Sequence, residues 1–286
     1  MPISVFSFTP RMEVLVLLAW MCYTERIALH GKGLVNVKIL GSDYDGTLNR
    51  NGIDKEKKQA LREWRNAGNV FALISGRGRQ SVLDLYHKEQ FPCDYLIACN
   101  GAVIMETDGS VLFEAPCDGR LAVPLLTFLF EKGAPWGLIQ AKEIRYVYAD
   151  TTTDRHAEGV TLAELPPVDR FDQISTRFDD FDTAAAVVAC IRERFGAHLN
   201  PLQNGMYIDI VRADMNKAEG LSFLVEHLGA SRENVIAVGD NINDGDMLRA
   251  FRSYAMESGV EAAKALADHT TPSVTELIRR ELAIQG

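Results

Sequence analysis

The chain has 286 residues, 47% apolar and 24% charged, which suits a soluble globular protein with one large domain or two linked ones. Its 30 basic and 39 acidic side chains leave a net charge of -9, which argues against general nucleic-acid binding, since that needs clustered Lys and Arg. Five cysteines with no C-x-x-C pair argue against a zinc site or a disulfide framework and suit reduced thiols in a cytoplasmic protein.

Near the N-terminus, Val14 to Tyr23 (VLVLLAWMCY) is strongly apolar but bounded by Arg11, Glu13, Glu25 and Arg26. A membrane-spanning helix needs about 20 apolar residues, so this run is too short to span, and no membrane partner is expected. No small-x-small cleavage site follows it, so residues 1–34 are expected to be a poorly ordered or loosely docked extension.

From Val35 onward, short apolar runs alternate with amphipathic segments, the pattern of an α/β sheet. Val37 to Leu40 predicts a first strand. Asp54 is placed to cap a helix carrying Ala60, Leu61, Trp64 and Ala67 on one face, with Gly68 closing it. Val70 to Ile74 (VFALI) has no polar interruption, as expected of a strand covered on both faces. A helix over about 80–88 and a strand over 95–98 follow. Later, Ala218, Leu221, Leu224, Val225 and Leu228 form a helical stripe stopped by Gly229, and Val235 to Val238 reads as another buried strand. A last strand near 254–256 and a helix over 274–282 close the chain.

Between these blocks the character changes. Helical stretches at 121–130 and 183–195 alternate with strand-like runs at 144–148 and 206–211, punctuated by Pro135, Pro166, Pro167 and Pro201. The fold class expected is therefore α/β: a doubly wound, Rossmann-like parallel-sheet core over 35–115 and 203–286, with an α+β domain inserted over 116–202.

Four clusters carry chemistry. Asp43 and Asp45 lie two apart directly after the first strand, and Gly46 lets the chain turn there. Two carboxylates so placed can divide nucleophile or metal-ligand work from acid work, although an ordinary polar turn has the same composition. Ser75-Gly76-Arg77 after VFALI offers a hydroxyl and backbone N–H groups to an anion, or simply a Ser N-cap. Lys217 near a helix start opposes the helix dipole, which makes sense if an anion sits there, though a lone lysine so placed more often reaches into water. Asp240, Asn243 and Asp244 concentrate hard oxygen ligands in one turn after a buried strand, which suits Mg²⁺ better than an ion-free Asx-rich loop. Asp43, Ser75 and Asp240 each follow a strand in the same sense, which places all three on one edge of one parallel sheet.

Taken together, DYDGTL at 43–48, LISGR at 73–77, Lys217 and GDNINDGDM at 239–247 resemble the four motifs of the haloacid dehalogenase superfamily, in that order. Only 28 positions separate Thr47 from Ser75, whereas 142 separate Ser75 from Lys217, so the inserted domain resembles a type 2 cap. Cys99-Asn100-Gly101-Ala102 resembles the segment before that cap in Cof-type phosphatases of subclass IIB.

The resemblance implies a Mg²⁺-dependent phosphatase acting on sugar phosphates or related small phosphoesters, cytoplasmic, and monomeric or homodimeric. It implies that Asp43 is the nucleophile, forming an aspartyl-phosphate, and that Asp45 is the general acid and then base. Asp43, the backbone carbonyl of Asp45, Asp240 and Asp244 would hold Mg²⁺, while Ser75, the amides of Tyr44 and Gly76, Lys217 and Asn243 would hold phosphoryl oxygens. A phosphomutase or phosphotransferase would share this chemistry. A receiver-like signalling domain would share the clustered Asp, Ser and Lys, but needs neither the cap nor the second acid. Arg145, Arg155 and His156 are candidate polar groups of the cap.

Overall fold

Apolar runs too continuous to leave either face to water make the first sheet. The computed structural model describes residues 37–153 and 155–284, so the extension expected over 1–34 lies outside the described residues. The chain begins with β1 (Ile39–Asp43), α1 (Lys55–Asn66), β2 (Val70–Ile74), α2 (Arg79–Glu89) and β3 (Tyr95–Ala98), followed by the hairpin of β4 (Val103–Glu106) and β5 (Val111–Glu114). Asp54 caps α1 as its position suggests, its side chain accepting the Lys57 amide at 2.8 Å.

The inserted segment contains β6 (Cys117–Asp118), α3 (Ala122–Glu131), β7 (Gly137–Gln140), β8 (Arg145–Tyr148) and β9 (Gly159–Thr161). It continues with β10 (Arg170–Phe171), β11 (Gln173–Arg177), α4 (Phe181–Phe195), β12 (Leu199–Asn204) and β13 (Tyr207–Arg212). The chain then returns through α5 (Lys217–His227), β14 (Val235–Gly239), α6 (Gly245–Ala250), β15 (Arg252–Met256), α7 (Glu261–Lys264), β16 (His269–Thr271) and α8 (Val274–Ala283).

The first sheet has the order β16-β15-β14-β1-β2-β3-β4-β5. Six strands are parallel, and β4 and β5 add an antiparallel edge. Alternate residues split between two cores, as the two-residue period of a strand requires. Leu40, Phe71, Leu73 and Val238 pack on one side with Trp64 of α1 and Ile278 of α8, while Ile39, Ile74 and Ala237 pack on the other with Leu221 and Leu224 of α5.

The second sheet has the order β12-β13-β11-β7-β8-β9, and it is two-faced. Ile139, Val147, Ile174, Ile208 and Ile210 join the α3 and α4 side chains in a separate apolar core. Their neighbours along the strands, among them Gln140, Tyr146, Ser175, Arg177 and Asp209, line the cleft toward the first sheet. The expected return to the first domain at 203 is corrected: it falls inside the β12–β13 hairpin, and the second sheet runs on to Arg212. Pro201 lies within β12, which is an edge strand, where a residue without an N–H is tolerated. The end of the chain also holds two strands, β15 and β16, where one was expected.

Candidate active site

Because β14, β1 and β2 are adjacent and parallel, the residues at their carboxyl ends meet. Asp43 ends β1, Ser75 follows β2 and Asp240 follows β14. After Asp43 the chain makes one irregular turn, Tyr44–Leu48, in which Gly46 has φ +85°. A side chain at Gly46 would be strained by that φ, and its Cβ would lie inside van der Waals contact of the Asp240 carboxylate. Gly46 thus lets the β14 loop close onto the β1 loop. Thr47 completes the contact, donating its hydroxyl to Asp240 Oδ1 at 2.8 Å.

Lys217 starts α5 and is 1% exposed. Its ammonium donates to Asp43 Oδ1 at 2.6 Å and to Asp244 Oδ1 at 2.5 Å. The other oxygen of Asp244 accepts the amides of Asp240 (2.9 Å) and Asn241 (3.1 Å), so this carboxylate ties the β14 loop to the lysine. Burial alone would lower the Lys217 pKa, but Asp244 and then Asp43 outweigh it and raise the pKa above the usual lysine value. Burial pushes Asp43 well above the carboxylate range, with Lys217 opposing and Asp244 reinforcing. Asp240 is raised as well, again chiefly by burial.

Carboxylate oxygens of Asp43, Asp240 and Asp244 all lie within 4.8 Å of one another. Three carboxylates face one ammonium here, an excess of negative charge in a largely buried space. Such a hard-oxygen set fits a divalent cation. The Asp45 carboxylate is not in this trio. It is half exposed and held by Arg77, whose Nε and Nη2 donate to its two oxygens at 2.8 and 2.7 Å, while the guanidinium lies over the Tyr44 ring at 5.5 Å.

The expected phosphate-binding residues are distributed around the same edge. Ser75 is buried, with its Oγ accepting the Arg77 amide at 3.2 Å. Gly76 and Asn243 line the cleft with Asp43, while the Tyr44 side chain is turned into the core. Of the cap candidates, His156 lines the cleft, Arg155 covers the Tyr148 ring at 5.4 Å, and Arg145 pairs with Glu143 beside a different cavity.

Sequence reasoning marked Cys99-Asn100-Gly101-Ala102 only by resemblance and missed Gln173, Ser175 and Asp209, with which it forms a polar junction between the two sheets. Cys99 and Asn100 have φ of 50° and 51°, a strained turn for non-glycine residues. It points the buried Asn100 amide at the second sheet, where Nδ2 donates to Gln173 Oε1 and Asp209 Oδ2, both at 3.0 Å. Ser175 donates to the other Asp209 oxygen at 2.7 Å, and Gln173 Nε2 reaches the Gly76 carbonyl at 2.9 Å. Asp209 is raised by burial, against these hydrogen bonds. The available signal was the polar alternation of β11 and β13 (QISTR and YIDIVR). Over the whole edge lies a cleft of about 1010 Å³, walled by both sheets. Among the described residues, no helix is long and apolar enough to cross a membrane.

This architecture has known counterparts. The chain is 27% identical over 275 residues to pyridoxal phosphate phosphatase YbhA of Escherichia coli (strain K12), covering 87% of this chain and 100% of that protein. It is 36% identical over 247 residues to the chloroplastic endoribonuclease YBEY of Arabidopsis thaliana, covering 79% of this chain but 42% of that longer protein. Among solved structures, the HAD subclass IIB sugar phosphatase BT4131 superimposes with a TM-score of 0.71 at 19% identity, over 86% of this chain and 99% of that one. The family model of haloacid dehalogenase-like hydrolases matches residues 40–277, and the chain belongs to that family, with the fold of its Cof-type, subclass IIB members.

Proposed function

We propose that the protein is a Mg²⁺-dependent phosphatase that hydrolyses small phosphate monoesters through a phosphorylated Asp43. The observation that carries this reading is the convergence of Asp43, Asp240 and Asp244 at one sheet edge, with Asp43 and Asp244 paired to Lys217, beneath a cleft of small-molecule size. Asp43, Asp240, Asp244 and the Asp45 carbonyl would hold Mg²⁺, which supplies positive charge against the phosphoryl oxygens.

Asp43 attacks phosphorus and displaces the alcohol, so electrostatic positioning dominates the rest of the site. Lys217, Asn243, the Ser75 hydroxyl and the amides of Tyr44 and Gly76 orient the phosphoryl oxygens. Asp45 protonates the leaving oxygen and then takes a proton from the attacking water. Both its oxygens are engaged by Arg77, so the pair has to open for either transfer. The cap sheet encloses the substrate and limits access of bulk water.

Sugar phosphates are the substrate class the motifs imply, and relatives named as phosphatases of pyridoxal phosphate and of 5-amino-6-(5-phospho-D-ribitylamino)uracil support the broader class of phosphorylated metabolites. The test is release of inorganic phosphate from a metabolite panel by the purified protein, with chelator and with Mg²⁺ restored, beside Asp43→Asn. Turnover by Asp43→Asn within tenfold of the native rate would remove Asp43 as nucleophile. Transfer to an added sugar rather than to water would identify a phosphotransferase instead.

A further inference from the structure

The two walls of the cleft differ in chemistry. From the first sheet it receives acids, amides, Gly76 and Arg77, with no apolar side chain among them. From the second sheet it receives polar side chains of β11 and β13, such as Ser175, Arg177 and Asp209, and next to them an apolar set: Trp136 and Leu138 beside and on β7, Tyr146 on β8, and His156 and Pro135 from the adjoining loops. Leu138 and Tyr146 are register partners, so both project from the same face of the sheet. The Trp136 and Tyr146 ring centroids are 5.6 Å apart at 77°, and His156 sits 4.9 Å from Tyr146 and 5.5 Å from Trp136.

The apolar side chains of β7, β8, β11 and β13 already have a core on the opposite face, against α3 and α4. A sheet face turned away from its own core ordinarily carries polar residues. Here, beside polar residues such as Gln140, Ser175, Arg177 and Asp209, it also carries a cluster of rings, and among the described residues no apolar side chain of the first sheet lines the cleft to cover it. An occupant that is polar at the Asp43 end and flat and apolar at the other matches both walls.

We propose that Trp136 and Tyr146 form the specificity wall for the part of the substrate distal to phosphate, and that this part is a planar aromatic ring. The inference rests on the phosphatase reading and narrows its substrate class from phosphoesters in general to ring-bearing ones. Rings meeting such a wall edge-on or offset gain from quadrupole and dispersion contacts that a saturated ring of equal size does not match.

Benzyl phosphate and cyclohexylmethyl phosphate test this, since both release a primary alcohol and differ mainly in ring planarity. The native protein should favour benzyl phosphate by roughly tenfold in kcat/KM. Trp136→Leu, and independently Tyr146→Leu, should erase most of that preference while leaving ethyl phosphate turnover within about twofold. Calorimetric binding of the non-hydrolysable benzylphosphonate and cyclohexylmethylphosphonate supplies a readout that needs no turnover. If no ester is hydrolysed the phosphatase reading fails, yet the phosphonate affinities still decide the wall. Equal affinity or equal kcat/KM for the two rings in the native protein overturns the proposal, as does an equal loss on ethyl phosphate in both variants.

Discussion

Replacing Lys217 by methionine separates the two tasks assigned to the buried ammonium. Methionine follows the lysine stem as far as Cε and can keep its contacts, but removes the ammonium between Asp43 and Asp244. Both ion pairs are enclosed, with the lysine 1% exposed, so solvent cannot replace the lost partner. Breaking an enclosed pair by removing one member typically costs about 3–5 kcal/mol. For a chain of this size that lowers the melting temperature by roughly 10 °C. The second consequence is electrostatic. Without the ammonium, the three carboxylates of the trio have no cationic side chain in contact among the described residues, so Mg²⁺ should bind the variant more tightly and stabilise it more. The assay is thermal unfolding of native and Lys217→Met protein, each with chelator and across a Mg²⁺ titration. The expected result is a large destabilisation in chelator that Mg²⁺ partly recovers, with a greater gain in the variant than in the native protein. A loss below about 1 kcal/mol in chelator, or equal gains with Mg²⁺, would refute the charge balance drawn for this site.

Gly46→Ala should leave the far-ultraviolet circular dichroism unchanged but raise the Mg²⁺ concentration needed for half-maximal stabilisation by about tenfold or more, because the new Cβ displaces the Asp240 carboxylate. Asp45→Asn should slow alcohol release from a sugar phosphate by about 10²- to 10⁴-fold in a single turnover, and far less from p-nitrophenyl phosphate, whose leaving group departs without a proton. Equal slowing of both would remove Asp45 as the general acid. Away from the site, Glu281 is fully buried on α8, accepting Lys38 Nζ at 3.0 Å and the Tyr254 hydroxyl at 2.9 Å, and paired with Arg252. Burial alone would raise its pKa, but Arg252, Lys38 and Tyr254 prevail and hold it below the ordinary glutamate value of 4.5. Its contribution is therefore complete above about pH 4.5 and is lost as pH falls through the lower folded pKa. Glu281→Gln should cost about 2 kcal/mol near neutral pH, discounted because Arg252 reaches solvent, and the gap to the native protein should close in acid denaturation curves below that pH.

Much of the candidate catalytic edge is legible in the order of residues alone. A polar cluster directly after an apolar run marks the carboxyl end of a strand, and parallel strands put all such ends on one side. Asp43, Ser75 and Asp240 can be placed together on that ground. Lys217 cannot, because a lysine at a helix start has the same sequence signature whether it reaches water or, as here, closes a buried pair with Asp43 and Asp244. The bidentate hold of Arg77 on Asp45 is equally hidden, since it depends on how the turns after β1 and β2 face each other.

Local pattern by itself determined the α/β core, its helix caps and the order of its strands along the chain, because these follow from side-chain period and capping within a few residues. Only the tertiary structure decided where the second sheet ends, since it is the pairing of β13 with β11 and β12 that carries it to Arg212. It alone decided where Trp136 and Tyr146 sit: each would suit an apolar core by composition, and each instead lines the cleft. The reason is physical. A strand's two-residue period fixes which residues share a face, but which face meets the candidate catalytic edge is set by contacts between distant segments, such as Asn100 with Asp209, 109 positions apart.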